Sequence, residues 1–67
     1  MTSQNIGKKL KMARKKLNLK QSEVAEKADI SVNYYARIER DEENPTLDTL
    51  KKICQALKVK STDILPF

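Results

Sequence analysis

Between Gln21 and Arg40 the apolar residues form two short stripes with a single break between them, and that pattern limits the chain more than any other feature. Read at about 100° per residue, Gln21 to Ala28 carries one stripe at Val24, Ala25 and Ala28. Ser31 to Arg40 carries the second, at Tyr35 and Ile38. Each stripe predicts a short amphipathic helix. Asp29, Ile30 and Ser31 stand between them. Aspartate tolerates the left-handed conformation better than most residues other than glycine, and serine is a preferred N-cap, so the break predicts a tight turn. Ala25 is small where the second helix would cross the first, which lets the pair pack closely and roughly at a right angle.

The flanking segments supply further helices. Ser3 can cap a first helix with apolar positions Ile6, Leu10, Ala13 and Leu17. Lys8, Lys9, Lys11, Lys15 and Lys16 occupy its other faces, as on a solvated helix. After Arg40, residues 41 to 45 read as a loop ending in Pro45. Thr46 can cap the next helix, with Asp48 in its first turn and a stripe of Leu47, Leu50, Ile53, Cys54 and Leu57. Ser61 with Asp63 predicts a last helical turn running to Phe67. The expected fold is all-α: one domain over residues 1–67, a compact five-helix bundle built around the central pair.

The second helix of that pair has a face the core does not need. Opposite Tyr35 and Ile38 lie Asn33, Ala36, Arg37 and Arg40, with Val32 at the shoulder of the first turn. Asparagine can pair with adenine through two hydrogen bonds and arginine with guanine, while valine and alanine suit a thymine methyl. Val32, Asn33, Ala36 and Arg37 are therefore candidates to read base edges in a major groove. Lys20, Gln21, Ser31, Tyr34, Arg40 and Asn44, at the flanks, are candidates to hold phosphates, which fixes register but carries no sequence information.

This arrangement resembles the helix-turn-helix of the phage repressor and Cro family, also called the xenobiotic-response-element family of bacterial regulators. Gln21, Val24-Ala25, Ile30-Ser31 and the run Arg37-Ile38-Glu39-Arg40 carry the resemblance. It extends to Asn44-Pro45 and to Leu57 and Val59, nearly the whole chain. The resemblance implies a lambda-repressor-like DNA-binding domain and a sequence-specific transcriptional regulator, a repressor acting as a homodimer on a palindromic double-stranded operator. It also implies that Gln21 bonds a phosphate, that Arg14 pairs with Glu39, and that Val59, Leu65 and Phe67 meet a second copy across a two-fold axis. The alternative for the tail is that it folds back on its own domain.

Two positions depart from the family pattern. Lys20 stands where threonine or serine is common, which weakens an N-cap by about 1 kcal/mol but adds a cation. Asp41, Glu42 and Glu43 stand where relatives often carry glycine and a basic residue. Three readings of that acidic run stay open: the loop turns away from phosphate, its acids weaken non-specific binding, or they answer a basic protein partner. On none of them does the run set base preference.

Composition narrows the alternatives. Residues 1 to 40 hold ten Lys or Arg against four acids, and residues 41 to 67 hold four against five. The basic half suits a polyanionic partner, and on charge alone it would suit a membrane surface too. No segment approaches the apolar length of a membrane span. A lone Cys54 with no histidine excludes a disulfide scaffold and the usual zinc patterns, and reads as an inert core residue in a cytoplasmic chain. With no histidine, glycine-rich phosphate loop or nucleophile–base pair, no enzyme, cofactor or small-molecule substrate is expected. A protein-interaction module using the same fold without DNA is the remaining competitor, with the acidic loop and apolar tail as its working surface.

Overall fold

The computed structural model describes residues 6–60 and Ile64. The regular structure there is helical: α1 (Ile6–Lys16), α2 (Gln21–Lys27), α3 (Val32–Glu39) and α4 (Leu47–Ala56). The α3 helix packs on both α1 and α2, and α2 packs in turn on α4. The core beneath them gathers Leu10, Val24, Ala25, Tyr35, Ile38, Leu50, Ile53 and Leu57, with Tyr35 the largest side chain fully out of water. Burying large apolar side chains contributes most of the favourable free energy of a domain this small, which hides only about 60% of the surface its unfolded chain exposes.

The count of five helices is corrected to four among the described residues. The segment expected to form a fifth lies outside them apart from Ile64, which is helical and buried. Ser3, Ser61 and Asp63 as caps, and Leu65 and Phe67 as dimer contacts, also fall outside the described residues. Two expected core positions are exposed instead, Leu17 at 40% and Leu47 at 53%. Both sit at helix ends. Periodicity identifies the face a residue shares but not where the neighbouring element stops, and the buried part of each stripe ends one turn short of them.

The helix ends follow one rule. At the C-terminus of each described helix a residue other than glycine takes a left-handed conformation: Asn18 (φ 58°), Asp29 (φ 61°), Asp41 (φ 60°) and Lys58 (φ 58°). The next N–H reaches back to close the last turn, as from Leu19 to the Arg14 carbonyl (3.2 Å), Ile30 to Ala25 (2.9 Å), Glu42 to Arg37 (2.8 Å) and Val59 to Cys54 (3.0 Å). Each is a Schellman cap, which satisfies carbonyls that a helix end leaves without partners. At the other ends Ser31 and Thr46 accept from the N–H groups of Tyr34 and Thr49, both at 3.1 Å. Lys20 has no acceptor to offer α2. Only the reciprocal bond forms there, from the Lys20 N–H to a Glu23 carboxylate oxygen at 2.7 Å.

Gly7, the only glycine in the chain, is buried where α1 crosses the end of α3. A Cβ at that position would collide with the backbone carbonyl oxygens of Ile38 and Glu39. Close approach of two backbones, not left-handed geometry, is what requires glycine here.

Candidate nucleic-acid interface

Two helices, α1 and α2, hold α3 in place through one carboxylate. Glu39, at its last turn, accepts from Arg14 Nε at 2.7 Å and Arg14 Nη2 at 3.2 Å, a forked pair, and from the Gln21 side-chain amide at 2.9 Å. Arg14 Nη1 donates to the Leu19 carbonyl at 2.9 Å, so the same guanidinium ties α1, the α1–α2 connection and α3 together. The pair is nearly dry, with Arg14 12% and Glu39 2% exposed at the side chain. The Tyr35 hydroxyl is buried beside it without a well-aligned hydrogen bond. Burial by itself would push the Glu39 carboxyl up, but the donors around it, Arg14 first and then Tyr35 and Gln21, hold it below its ordinary value. Bonding to Glu39 pushes the Arg14 guanidinium up, and burial pushes the Tyr35 phenol well up.

The opposite side of α3 is open. Val32, Asn33 and Arg37 are exposed, and Ala36 is half-buried between them. Ser31, Asn33, Tyr34, Arg37 and Arg40 line an open depression of about 460 Å³. Asn33 and Arg37 are four residues apart on one helix, so their side chains lie one above the other on this face. Of the flanking residues, Lys20, Ser31, Arg40 and Asn44 are exposed, and Gln21 and Tyr34 are half-buried. Ser31 uses its oxygen as the cap of α3, which leaves its O–H as a donor. Gln21 directs one amide hydrogen inward to Glu39 and keeps a second.

The acidic run has particular partners. Glu43 pairs with Arg37 Nη1 at 3.3 Å, and Glu42 with Arg40 Nη2 at 3.1 Å. Bonding to Arg40 holds the Glu42 carboxyl below its usual value. Asp41 turns the other way and accepts from the buried Gly7 N–H at 3.1 Å. None of these three partnerships is visible at the spacing of a helix: Arg37 and Glu43 are separated by a turn, and Gly7 and Asp41 by 34 residues. Gly7 is thus the residue of this region that the sequence reading lacks, while Glu42 and Glu43 stand in that reading only as members of an acidic run, without these partners. For Gly7 a signal existed, a single glycine within a helical pattern.

Val59 is half-buried and lies far along the chain from this face, in a groove with Met12, Leu17 and Leu57. Among the described residues no cluster of acidic side chains or cysteine could hold a metal ion, and no helix is long and apolar enough to cross a membrane.

Comparison with known proteins points in one direction. The helix-turn-helix family matches over residues 10–64. The chain is 42% identical over 60 residues to the immunity repressor protein of Bacillus phage phi105, covering 90% of this chain and 42% of that protein, so it spans less than half of the phage protein's length. It is 37% identical over 63 residues to the control protein C.BamHI of Bacillus amyloliquefaciens, covering 92% of this chain and 78% of that one. The solved N-terminal DNA-binding domain of SinR from Bacillus subtilis superposes with a TM-score of 0.85 at 33% identity, covering 92% of this chain and 91% of that domain.

Proposed function

This chain belongs to the helix-turn-helix family, of the phage repressor and Cro type, and from that premise we propose that it is a sequence-specific double-stranded DNA-binding transcriptional regulator, a repressor acting as a homodimer on a palindromic operator. The observation that carries the proposal is the outward face of α3. Asn33 and Arg37 stand exposed one turn apart, beside a depression edged by Ser31, Tyr34 and Arg40, on a helix braced from behind by the Arg14–Glu39 pair. In the major groove Arg37 would donate to base edges and Asn33 would both donate to and accept from them, Val32 and Ala36 would pack on methyl groups, and Lys20, Gln21, Ser31, Tyr34, Arg40 and Asn44 would hold phosphates. Val59, Leu65 and Phe67 would meet the second copy.

These roles separate under mutation. Arg37→Ala or Asn33→Ala should cost about 1–3 kcal/mol on the specific site and relax preference at one base pair in each half-site. Lys20→Ala should weaken binding to all sequences alike and flatten its dependence on salt. The test is selection of bound sites from a random duplex pool, followed by binding of each variant to every single-base-pair change. If neither Arg37→Ala nor Asn33→Ala alters the base preferences, α3 is not the reader and the proposal fails.

A further inference from the structure

Resting on the assignment of α3 as the reader, we propose that Glu43 is a positioning residue for Arg37: it sets the guanidinium for base reading and so determines sequence preference without itself meeting a base. Comparison of the Arg14 and Arg37 guanidinium groups makes the case. Arg14 presents its Nε–Nη2 edge to Glu39 and forms a fork of two bonds, 2.7 and 3.2 Å long. Arg37 is held by Glu43 through Nη1 alone, at 3.3 Å. The edge that Arg14 uses for a planar, two-oxygen partner is therefore the edge that Arg37 keeps available. A guanine presents two acceptors, O6 and N7, spaced for that fork.

Glu43 is well placed to hold Arg37 because its loop is not a free tether. The Glu42 N–H bonds the carbonyl of Arg37 itself at 2.8 Å, and the Asp41 N–H bonds that of Ile38 at 3.0 Å. Asp41 is pinned a second time by Gly7, and Pro45 stiffens the far side. The carboxylate thus moves with the end of the helix whose side chain it holds. An arginine on an exposed helix otherwise samples many rotamers and must lose them on binding, and a fixed partner on one nitrogen removes part of that loss beforehand. The pairing also offsets the charge of Arg37, so that it adds little to attraction for an arbitrary duplex and keeps its contribution for a site offering the right acceptors. In the sequence the acidic run has no part in base preference; this pairing gives Glu43 one.

The test uses the full chain as wild type, Arg37→Ala, Glu43→Gln and Glu43→Ala. Without DNA, the nitrogen-bound protons of Arg37 followed by NMR should show restricted rotation in the wild type and free rotation in both Glu43 variants. Equal mobility in all three overturns the proposal whatever the DNA results. With DNA, both Glu43 variants should lose about fivefold or more of the discrimination at the base pair whose identity Arg37→Ala erases, while binding to an unrelated duplex holds or tightens. A preference that Arg37→Ala erases but Glu43→Ala and Glu43→Gln leave intact overturns the role of Glu43 and spares the reading of α3. A wild type with no base preference overturns both.

Discussion

Two sets of arginine–glutamate pairs flank the same helix, and water decides what each can do. The Arg14–Glu39 pair is almost wholly withdrawn from solvent, while Arg37–Glu43 is 57% and 36% exposed. In the buried set the Arg14 guanidinium bonds through Nε, Nη1 and Nη2 at once, and loss of either partner leaves a charge with little solvent and no counterion. In the exposed set each pair is one contact that water or a phosphate can replace. The same chemistry is therefore a brace at one end of α3 and an adjustable contact on its face. On the reading proposed for α3, the helix must be rigid as a body while its outward side chains can exchange one partner for another, and these two regions divide that requirement.

The buried side of the comparison predicts the largest effect. Glu39→Gln or Arg14→Met should cost about 3–5 kcal/mol in chemical denaturation, and the double variant should lose much less than the sum of the two. Small additive losses would place the pair with the surface ones. The same carboxylate sets a pH signature. Its folded pKa lies below the unfolded value near 4.5, so its contribution is present in full above that value and is lost as pH falls through the depressed folded pKa. Wild type should accordingly lose stability below about pH 4.5, and Glu39→Gln should lose less over the same acidic range.

Next in size is the contact of backbones behind that brace. Gly7→Ala would gain helix propensity, but its methyl meets carbonyl oxygens of Ile38 and Glu39 that belong to the frame of α3. Thermal unfolding should show a net loss of about 1–3 kcal/mol, since the helices must separate to admit it. A stabilised variant would mean that α1 is not seated tightly on the end of α3, and the rigid half of the comparison would weaken.

How much of this was legible beforehand depends on the range of the interactions. The central pair of helices, the turn at Asp29, the caps at Ser31 and Thr46 and the core at Tyr35, Ile38 and Leu50 follow from period and local preference, which act over a few residues. Arg14 and Glu39 came from resemblance, because no local pattern joins residues 25 apart. Leu17 and Leu47 failed as core residues because a stripe does not tell where its neighbour ends. In sequence the acidic run reads as three similar charges, yet Asp41 caps α1, Glu43 pairs with Arg37 of α3 and Glu42 with Arg40 just beyond it. That division depends on where Asp41 reverses the chain, with φ at 60°.

That reversal gives a smaller prediction, with an internal control. Lys58 and Asp41 both take the left-handed conformation, but only Asp41 also bonds a buried N–H with its side chain. Lys58→Gly should stabilise by up to about 1 kcal/mol, because glycine enters that region without steric cost. Asp41→Gly should gain the same relief and lose a hydrogen bond of about 0.5–1.5 kcal/mol, for a net change near zero or a loss. Equal gains in both would show that the bond to Gly7 contributes nothing to stability.

The smallest effect belongs to the exposed pair, and it is where the comparison can be broken most directly. Glu43→Gln should change folding stability by less than about 1 kcal/mol, since an exposed ion pair loses in side-chain ordering much of what it gains in attraction. Even that difference should vanish in 1 M salt, where the Debye length is about 3 Å and charges in water no longer attract across the pair. The loss in Glu39→Gln should persist there, because salt does not reach a dry pair. Urea denaturation of both variants at low and high salt is the measurement. If Glu43→Gln costs as much as Glu39→Gln, or if its cost survives high salt, Glu43 is part of the frame and α3 has no adjustable face.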